Sequence, residues 1–230
     1  MVLTSPSSQD TITHAPDTEI LRVSEIFFSL QGETRRVGLP TIFVRLTGCP
    51  LRCGYCDTQY AFYGGESMPI SSILERVSSY GGHNVTITGG EPLAQKKCLI
   101  LLRMLCDAGY SVSLETSGAQ DISKVDRRVE KVLDIKTPGS GEVNKNYWTN
   151  LEYLAQQDEI KFVLCDEVDY QWAIETICKY HLDKICPVLF SPVYGKLDPA
   201  ILASWVLRDR LHVRMQIQLH KFLWGEESGR

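Results

Sequence analysis

The sequence predicts an α/β fold in a single domain, on three observations. Short runs rich in β-branched and other apolar residues recur at 41–46, 84–88, 111–115, 131–136, 160–164 and 185–190. Segments of helical pattern stand among them, at 70–80, 95–108, 147–156, 170–179 and 199–208. The 230 residues, 43% hydrophobic and 23% charged, are the make-up of one ordinary globular domain with a sizeable core. Strands separated by helices argue for parallel βαβ units, because a parallel pair needs a crossover between its members. Six such strands form either a partial barrel or an open sheet, and periodicity leaves both open.

Taken in order, residues 1–20 are rich in Ser, Thr, Pro and Asp and read as a flexible tail, leaving 21–230 as the folded domain. The run Thr41-Ile42-Phe43-Val44-Arg45-Leu46 is the first strand, and the segment 70–80 is the first helix. Asn84–Thr88, Ser111–Glu115 and Lys131–Lys136 are the next three strands, with a helix over 95–108 between the first two. Helices over 147–156, 170–179 and 199–208 alternate with the strands 160–164 and 185–190, and Val213–Leu219 reads as a further, terminal strand. The net charge of −4 argues against a phosphate-backbone binder, which needs a basic stripe. No stretch reaches the roughly 18 consecutive apolar residues of a membrane span. The first twenty residues carry no Lys or Arg, so neither a secretory leader nor an Arg-rich transit peptide is expected.

Polar residues gather where these strands end, which is where ligands collect in parallel α/β folds. Cys49, Cys53 and Cys56, in the pattern C-x3-C-x2-C, follow the first strand. Gly89-Gly90-Glu91-Pro92 follows the second, Glu115-Thr116-Ser117-Gly118 ends the third, and Asp134-Ile135-Lys136 closes the fourth. Closely spaced thiolates hold iron–sulfur clusters, and three thiolates on a four-iron cubane leave one iron open to a small molecule. A zinc site needs a fourth donor nearby. None is spaced for it: His14, His83, His181, His212 and His220 are scattered. Cys98, Cys106, Cys165, Cys178 and Cys186 lie in apolar stretches without ligand spacing and read as small core residues. Eight cysteines in 230 residues is too sparse for a disulfide scaffold, and unpaired thiols place the chain in a reducing cytoplasm.

The cysteine loop, the aromatic Tyr55 before its third cysteine, and GGEP together resemble the radical S-adenosylmethionine (SAM) superfamily. That resemblance implies an incomplete (β/α)6 partial barrel. It also implies a [4Fe–4S] cluster on Cys49, Cys53 and Cys56, with SAM on the open iron as the source of a 5′-deoxyadenosyl radical. SAM would be held by Tyr55, Cys56, Asp57, Gly90, Glu91, Glu115, Ser117, Asp134, Ile135 and Lys136. Gly89 and Gly90 would let the backbone approach its methionine part, and Glu91 would accept from its ammonium group.

Ser29-Leu30-Gln31-Gly32-Glu33, Arg45 and the segment from Gly48 to Cys56-Asp57-Thr58 narrow the resemblance to the 7-carboxy-7-deazaguanine synthase family, over nearly everything from residue 25 to 221. Membership implies conversion of 6-carboxy-5,6,7,8-tetrahydropterin to 7-carboxy-7-deazaguanine with loss of ammonia, in queuosine and deazapurine biosynthesis. Leu30, Gln31, Gly32, Arg45 and Thr88 would touch the pterin, Arg45 gripping its carboxylate with a planar fork. Magnesium would sit on Thr58, although chemistry alone favours Asp57. A homodimer and an electron donor such as flavodoxin or ferredoxin are further implications. Two rivals are a glycyl-radical-enzyme activase, in which SLQGE would have no purpose, and a cluster-bearing redox carrier, which needs no GGEP.

Overall fold

The computed structural model describes residues 18–225, 227 and 229. Most of the expected tail, residues 1–17, therefore lies outside the described residues. Among these, nine strands form one sheet in the order β3-β1-β2-β4-β5-β6-β7-β8-β9. Six parallel strands carry the fold: β2 (Pro40–Leu46), β4 (Asn84–Gly89), β5 (Ser111–Thr116), β6 (Glu130–Ile135), β7 (Glu159–Leu164) and β8 (Val188–Pro192). These are the six runs expected from sequence. The last starts three residues later than expected, because Leu182–Ile185 (α4) is a helical turn and Pro187 stands before the strand.

Side chains alternate across each strand, and the two faces of this sheet differ in chemistry. One face is apolar: Ile42, Val44, Leu46, Val85, Ile87, Val112, Leu114, Leu133, Ile135, Ile160, Phe162 and Leu164 are all buried in the core. Helices cover it with their own apolar stripes, α1 (Ile70–Ser79) with Ile70, Ile73 and Val77, and α2 (Cys98–Asp107) with Leu101, Leu102 and Leu105. Then α3 (Glu167–Tyr180) adds Tyr170, Ala173 and Ile177, and α5 (Pro199–Arg208) adds Leu202. The alternate positions Phe43, Arg45, Thr88, Glu115, Val132, Asp134, Lys161 and Val163 line a cavity on the other face.

Four expectations are corrected. Two strands went unforeseen, β1 (Ile20–Leu30) and β3 (Glu66–Pro69), which extend the sheet antiparallel beside β2. An edge strand shows mixed polar and apolar residues, unlike the all-apolar runs of strands covered on both faces. The helix expected over 147–156 is a 3-10 segment, Trp148–Tyr153, since Asn150 is pulled onto the loop after β5, donating to Gly118 O and Gln120 O and accepting from Ile122 N. The terminal strand expected over 213–219 pairs only at Arg214–Met215 (β9), followed by the helix Leu219–Trp224 (α6). Among the five cysteines read as core, Cys98, Cys165 and Cys186 are buried, but Cys106 is half-buried and Cys178 exposed. No helix among the described residues is long and apolar enough to cross a membrane.

Candidate active site

The cavity has a volume of about 350 Å³ and opens at the C-terminal ends of the parallel strands. Cys49, Cys53 and Cys56, each half-buried, stand in its wall. Their loop is shaped by backbone bonds: Gly48 N donates to Ala61 O, Cys56 N to Cys53 O, and Gly54 N to Ser140 O. Against it packs the GGEP turn, with Gly90 N donating to Leu46 O and Glu91 N to Gly48 O. A Cβ on Gly90 would collide with the Gly48 carbonyl and lie 2.9 Å from Cys49 Cβ, while Gly89 has φ of +149° and would collide with Leu46 O. The glycines are thus required first by the protein itself, to press one strand end against the cysteine loop.

Among the described residues no three His, Cys, Asp or Glu side chains converge on one point, as a single-ion site requires. A cubane asks for something else, since each thiolate binds its own iron. Three thiols spread around one cavity suit that donor set. Burial pushes all three above the usual thiol range, Cys53 to about 11, and the Lys136 ammonium pulls each back. Two further buried polar atoms at the wall, Tyr55 OH and Asp134 Oδ1, have no partner among the described residues, and Lys136 Nζ lies 3.1 Å from the other Asp134 oxygen. A polar cofactor beside the cysteines would satisfy both.

Glu91 and Ile135 are placed differently from the other expected cofactor residues. Glu91 is fully buried beneath the cavity and already accepts from Leu93 N, Thr116 Oγ1, Ser117 N and Ser117 Oγ, at 2.9, 2.9, 2.7 and 2.5 Å. Its carboxylate ties GGEP to the Glu115-Thr116-Ser117 strand end rather than facing the cavity. Ile135 points to the apolar face, one residue out of phase with Asp134, and does not line the cavity.

Opposite the cysteines, Arg45 donates from Nε to Glu25 Oε1 at 2.7 Å and lies 5.8 Å from the ring centres of both Phe27 and Tyr60. Among the described residues nothing accepts from its two terminal nitrogens. Gln31 is fixed at both ends of its amide, donating to Thr86 Oγ1 and Glu115 Oε1 and accepting from Glu33 N. Thr88 donates to the second Glu115 oxygen at 3.0 Å. Burial raises Glu115 above the usual carboxylate range against the pull of Lys161. Lys161 itself pairs with Glu33 at 2.6 Å; burial works against its charge, but Glu33, Asp134 and Glu115 outweigh that, and it stays cationic.

The pattern of the radical SAM superfamily matches residues 43–138. The 7-carboxy-7-deazaguanine synthase of Chlorobaculum tepidum is 44% identical over 94% of this chain and 98% of its own length. The chain belongs to the 7-carboxy-7-deazaguanine synthase family. The synthase of Koribacter versatilis is 42% identical over 90% of this chain and 99% of its own. Among solved structures, QueE from Escherichia coli superposes with a TM-score of 0.72 at 23% identity, over 87% of this chain and 95% of that one. That likeness speaks for the partial-barrel fold.

The cavity also contains residues that sequence reading left out. Glu33, Phe27, Phe43, Lys161, Gln218, His220 and Lys221 all line it. Lys161 carried a signal, a cation inside the apolar run Ile160–Leu164, but Lys131 carries the same signal and is buried against Asp158 at 3.0 Å, with no place in the cavity. The C-terminal residues carried none. They arrive because Leu219 N donates to Gly32 O, Gln218 Nε2 to Glu33 and Asp57, and Lys221 Nζ to Asp57 at 2.7 Å. His220 packs so closely on Gly32 that a Cβ there would strike its ring.

Proposed function

We propose that this chain is a carbon–nitrogen lyase converting 6-carboxy-5,6,7,8-tetrahydropterin to 7-carboxy-7-deazaguanine with loss of ammonia, feeding queuosine and 7-deazapurine biosynthesis. One observation carries the reading: the cysteine loop, Leu30-Gln31-Gly32, Arg45 on β2 and Thr88 on β4 wall one cavity. When bound, the [4Fe–4S] cluster and SAM supply the radical that abstracts hydrogen. Cys49, Cys53 and Cys56 hold the cluster, and Tyr55, Ser117, Asp134 and Lys136 bound the space beside it. Cys56, Asp57 and Gly90 complete that wall.

The chain's own residues bind and orient the substrate. Arg45, braced by Glu25 and two aromatic rings, offers its terminal nitrogens to the carboxylate. Glu33, held below the usual carboxylate range by Lys161 against the effect of burial, is an ionised acceptor for ring N–H groups. Leu30, Gly32 and the fixed Gln31 amide shape the wall beside it, and α6 shields the cavity from water. The test is anaerobic turnover of the carboxypterin with SAM and a strong reductant. Equal yields of the deazaguanine and ammonia, with SAM recovered, are expected; SAM cleavage without either product would sink the reading.

Magnesium belongs to the same proposal. Asp57 is engaged through Oδ2 with Lys221 and Gln218, and these, with Thr58, hold it below its ordinary value although burial opposes. The Thr58 hydroxyl gives its proton to Asp57 Oδ1 at 2.9 Å, which leaves its oxygen lone pairs for a hard cation. Thr58→Ala is expected to lower turnover while cluster content and SAM binding stay unchanged. Turnover by the unaltered protein that does not depend on added magnesium would end the assignment. An external donor of flavodoxin or ferredoxin type, a homodimer and a reducing cytoplasmic setting complete the reading; the free state of all eight cysteines supports the last.

A further inference from the structure

Asp169 is 1% exposed, sits in the first turn of α3, and belongs to no motif. Burying a carboxylate is costly unless hydrogen bonds satisfy it. Here Oδ1 accepts from Gly139 N at 2.7 Å and Oδ2 from Cys165 N at 2.9 Å. Its position in the first turn also sets its charge at the positive end of the helix dipole. The segment it grips, residues 137–142, is packed closely on the carboxylate: a Cβ on Gly139 would collide with Asp169 Oδ2 and come within 2.9 Å of Cys165 Sγ.

Ser140, itself 1% exposed, accepts from Gly54 N through its carbonyl at 3.0 Å. Ser140 Oγ accepts from Glu142 N, and Glu142 Oε1 accepts from Arg52 N at 2.6 Å. Arg52 and Gly54 are the two neighbours of Cys53. The backbone amides on both sides of that cysteine therefore hang on a loop that is anchored to α3 by one buried carboxylate.

We propose that Asp169 is a positioning residue for the cluster loop, fixing the backbone around Cys53 through Gly139, Ser140 and Glu142. This rests on Cys49, Cys53 and Cys56 being the cluster ligands. Its role is geometric: a ligand loop free to shift moves the cluster relative to the cavity, and small displacements of reacting parts are expensive.

The test compares Asp169→Asn with Asp158→Asn in the reconstituted full chain. Asparagine keeps the size but turns an NH2 group toward one of the two backbone N–H groups. Asp158 is a fitting control: fully buried, it likewise accepts from backbone, at Lys131 N and Ala155 N, but at the opposite ends of the strands. Readouts are iron content, the electron paramagnetic resonance spectrum of the reduced cluster with and without SAM, and Tm. For Asp169→Asn the reduced-cluster spectrum should change, and the SAM concentration needed for the SAM-induced spectral shift should rise roughly ten- to hundredfold. Asp158→Asn should lower Tm while keeping the wild-type spectrum. Gly139→Ala, whose Cβ would collide with the same carboxylate and push the loop away from it, should reproduce the Asp169→Asn spectrum. Wild-type spectra at full iron in Asp169→Asn or Gly139→Ala overturn the role, and so does an equal spectral change in Asp158→Asn at matched loss of Tm. A wild-type chain that assembles no cluster instead refutes the ligand assignment beneath it.

Discussion

Replacing Cys49, Cys53 or Cys56 by Ala is expected to abolish the brown [4Fe–4S] chromophore after anaerobic reconstitution, whereas Cys98→Ala or Cys178→Ala should leave it intact. The contrast follows from where the thiols stand. The first three share one cavity wall and are half-exposed to it, while Cys98 is fully buried in the core and Cys178 is exposed on α3. Burial pushes Cys98 up beyond the ordinary thiol range, so it is a poor source of thiolate even if iron were to reach it. Exposed Cys178 has no second cysteine of the triad as a neighbour in sequence. The measurements are iron and sulfide per chain and the visible absorption spectrum. A full four-iron complement in any of the three triad variants would falsify the assignment. Loss of cluster in Cys178→Ala would point to a different ligand set.

The parallel strands could be read because each is apolar on the face beneath the helices, and polar residues interrupt the runs only singly. Arg45, Thr88, Glu115 and Asp134 are among those interruptions, which is why fold and part of the cavity wall were legible from the same runs. The antiparallel strands β1 and β3 were not, since antiparallel pairing at the border of a sheet requires no continuous apolar signal. Motif reading placed residues correctly on the rim but not the direction of each side chain. Glu91 is the clear case: its place in GGEP suggests a ligand contact, yet three of its four hydrogen bonds come from the neighbouring strand end, at Thr116 and Ser117, and the fourth from Leu93 N in its own turn. Hydrogen bonding to an adjacent strand depends on registry that no local pattern encodes. The C-terminal contribution was illegible for a similar reason, since Gln218, His220 and Lys221 reach the cavity through contacts with Gly32, Glu33 and Asp57, some 160 to 190 residues earlier.

Arg45→Lys is expected to lower kcat/KM for the carboxypterin roughly ten- to hundredfold, the cost of about 1.5–3 kcal/mol for a lost charge-assisted hydrogen bond. SAM binding and cluster content should not change. Arg45 faces the cavity from β2, opposite Thr88 on β4 and four residues before Cys49, so whatever it grips is held beside the radical source. Its guanidinium performs two tasks at once: Nε is committed to Glu25 at 2.7 Å, between Phe27 and Tyr60, and the terminal nitrogens remain for a carboxylate. Lysine keeps the charge but has one nitrogen for both tasks and no planar two-point contact. If the ammonium turns to Glu25, the substrate carboxylate loses its partner; if it turns to the substrate, Glu25 is left accepting only from Tyr60 OH at 2.7 Å. Either way the carboxylate is held less firmly, and the hydrogen to be abstracted wanders from the radical. Glu25→Gln separates the two tasks: it removes the brace but keeps the grip, and should cost less than Arg45→Lys. The measurement is anaerobic kcat/KM beside SAM affinity for the wild type and both variants. An unchanged kcat/KM in Arg45→Lys removes Arg45 from substrate recognition, and an equal loss of SAM binding makes its part structural.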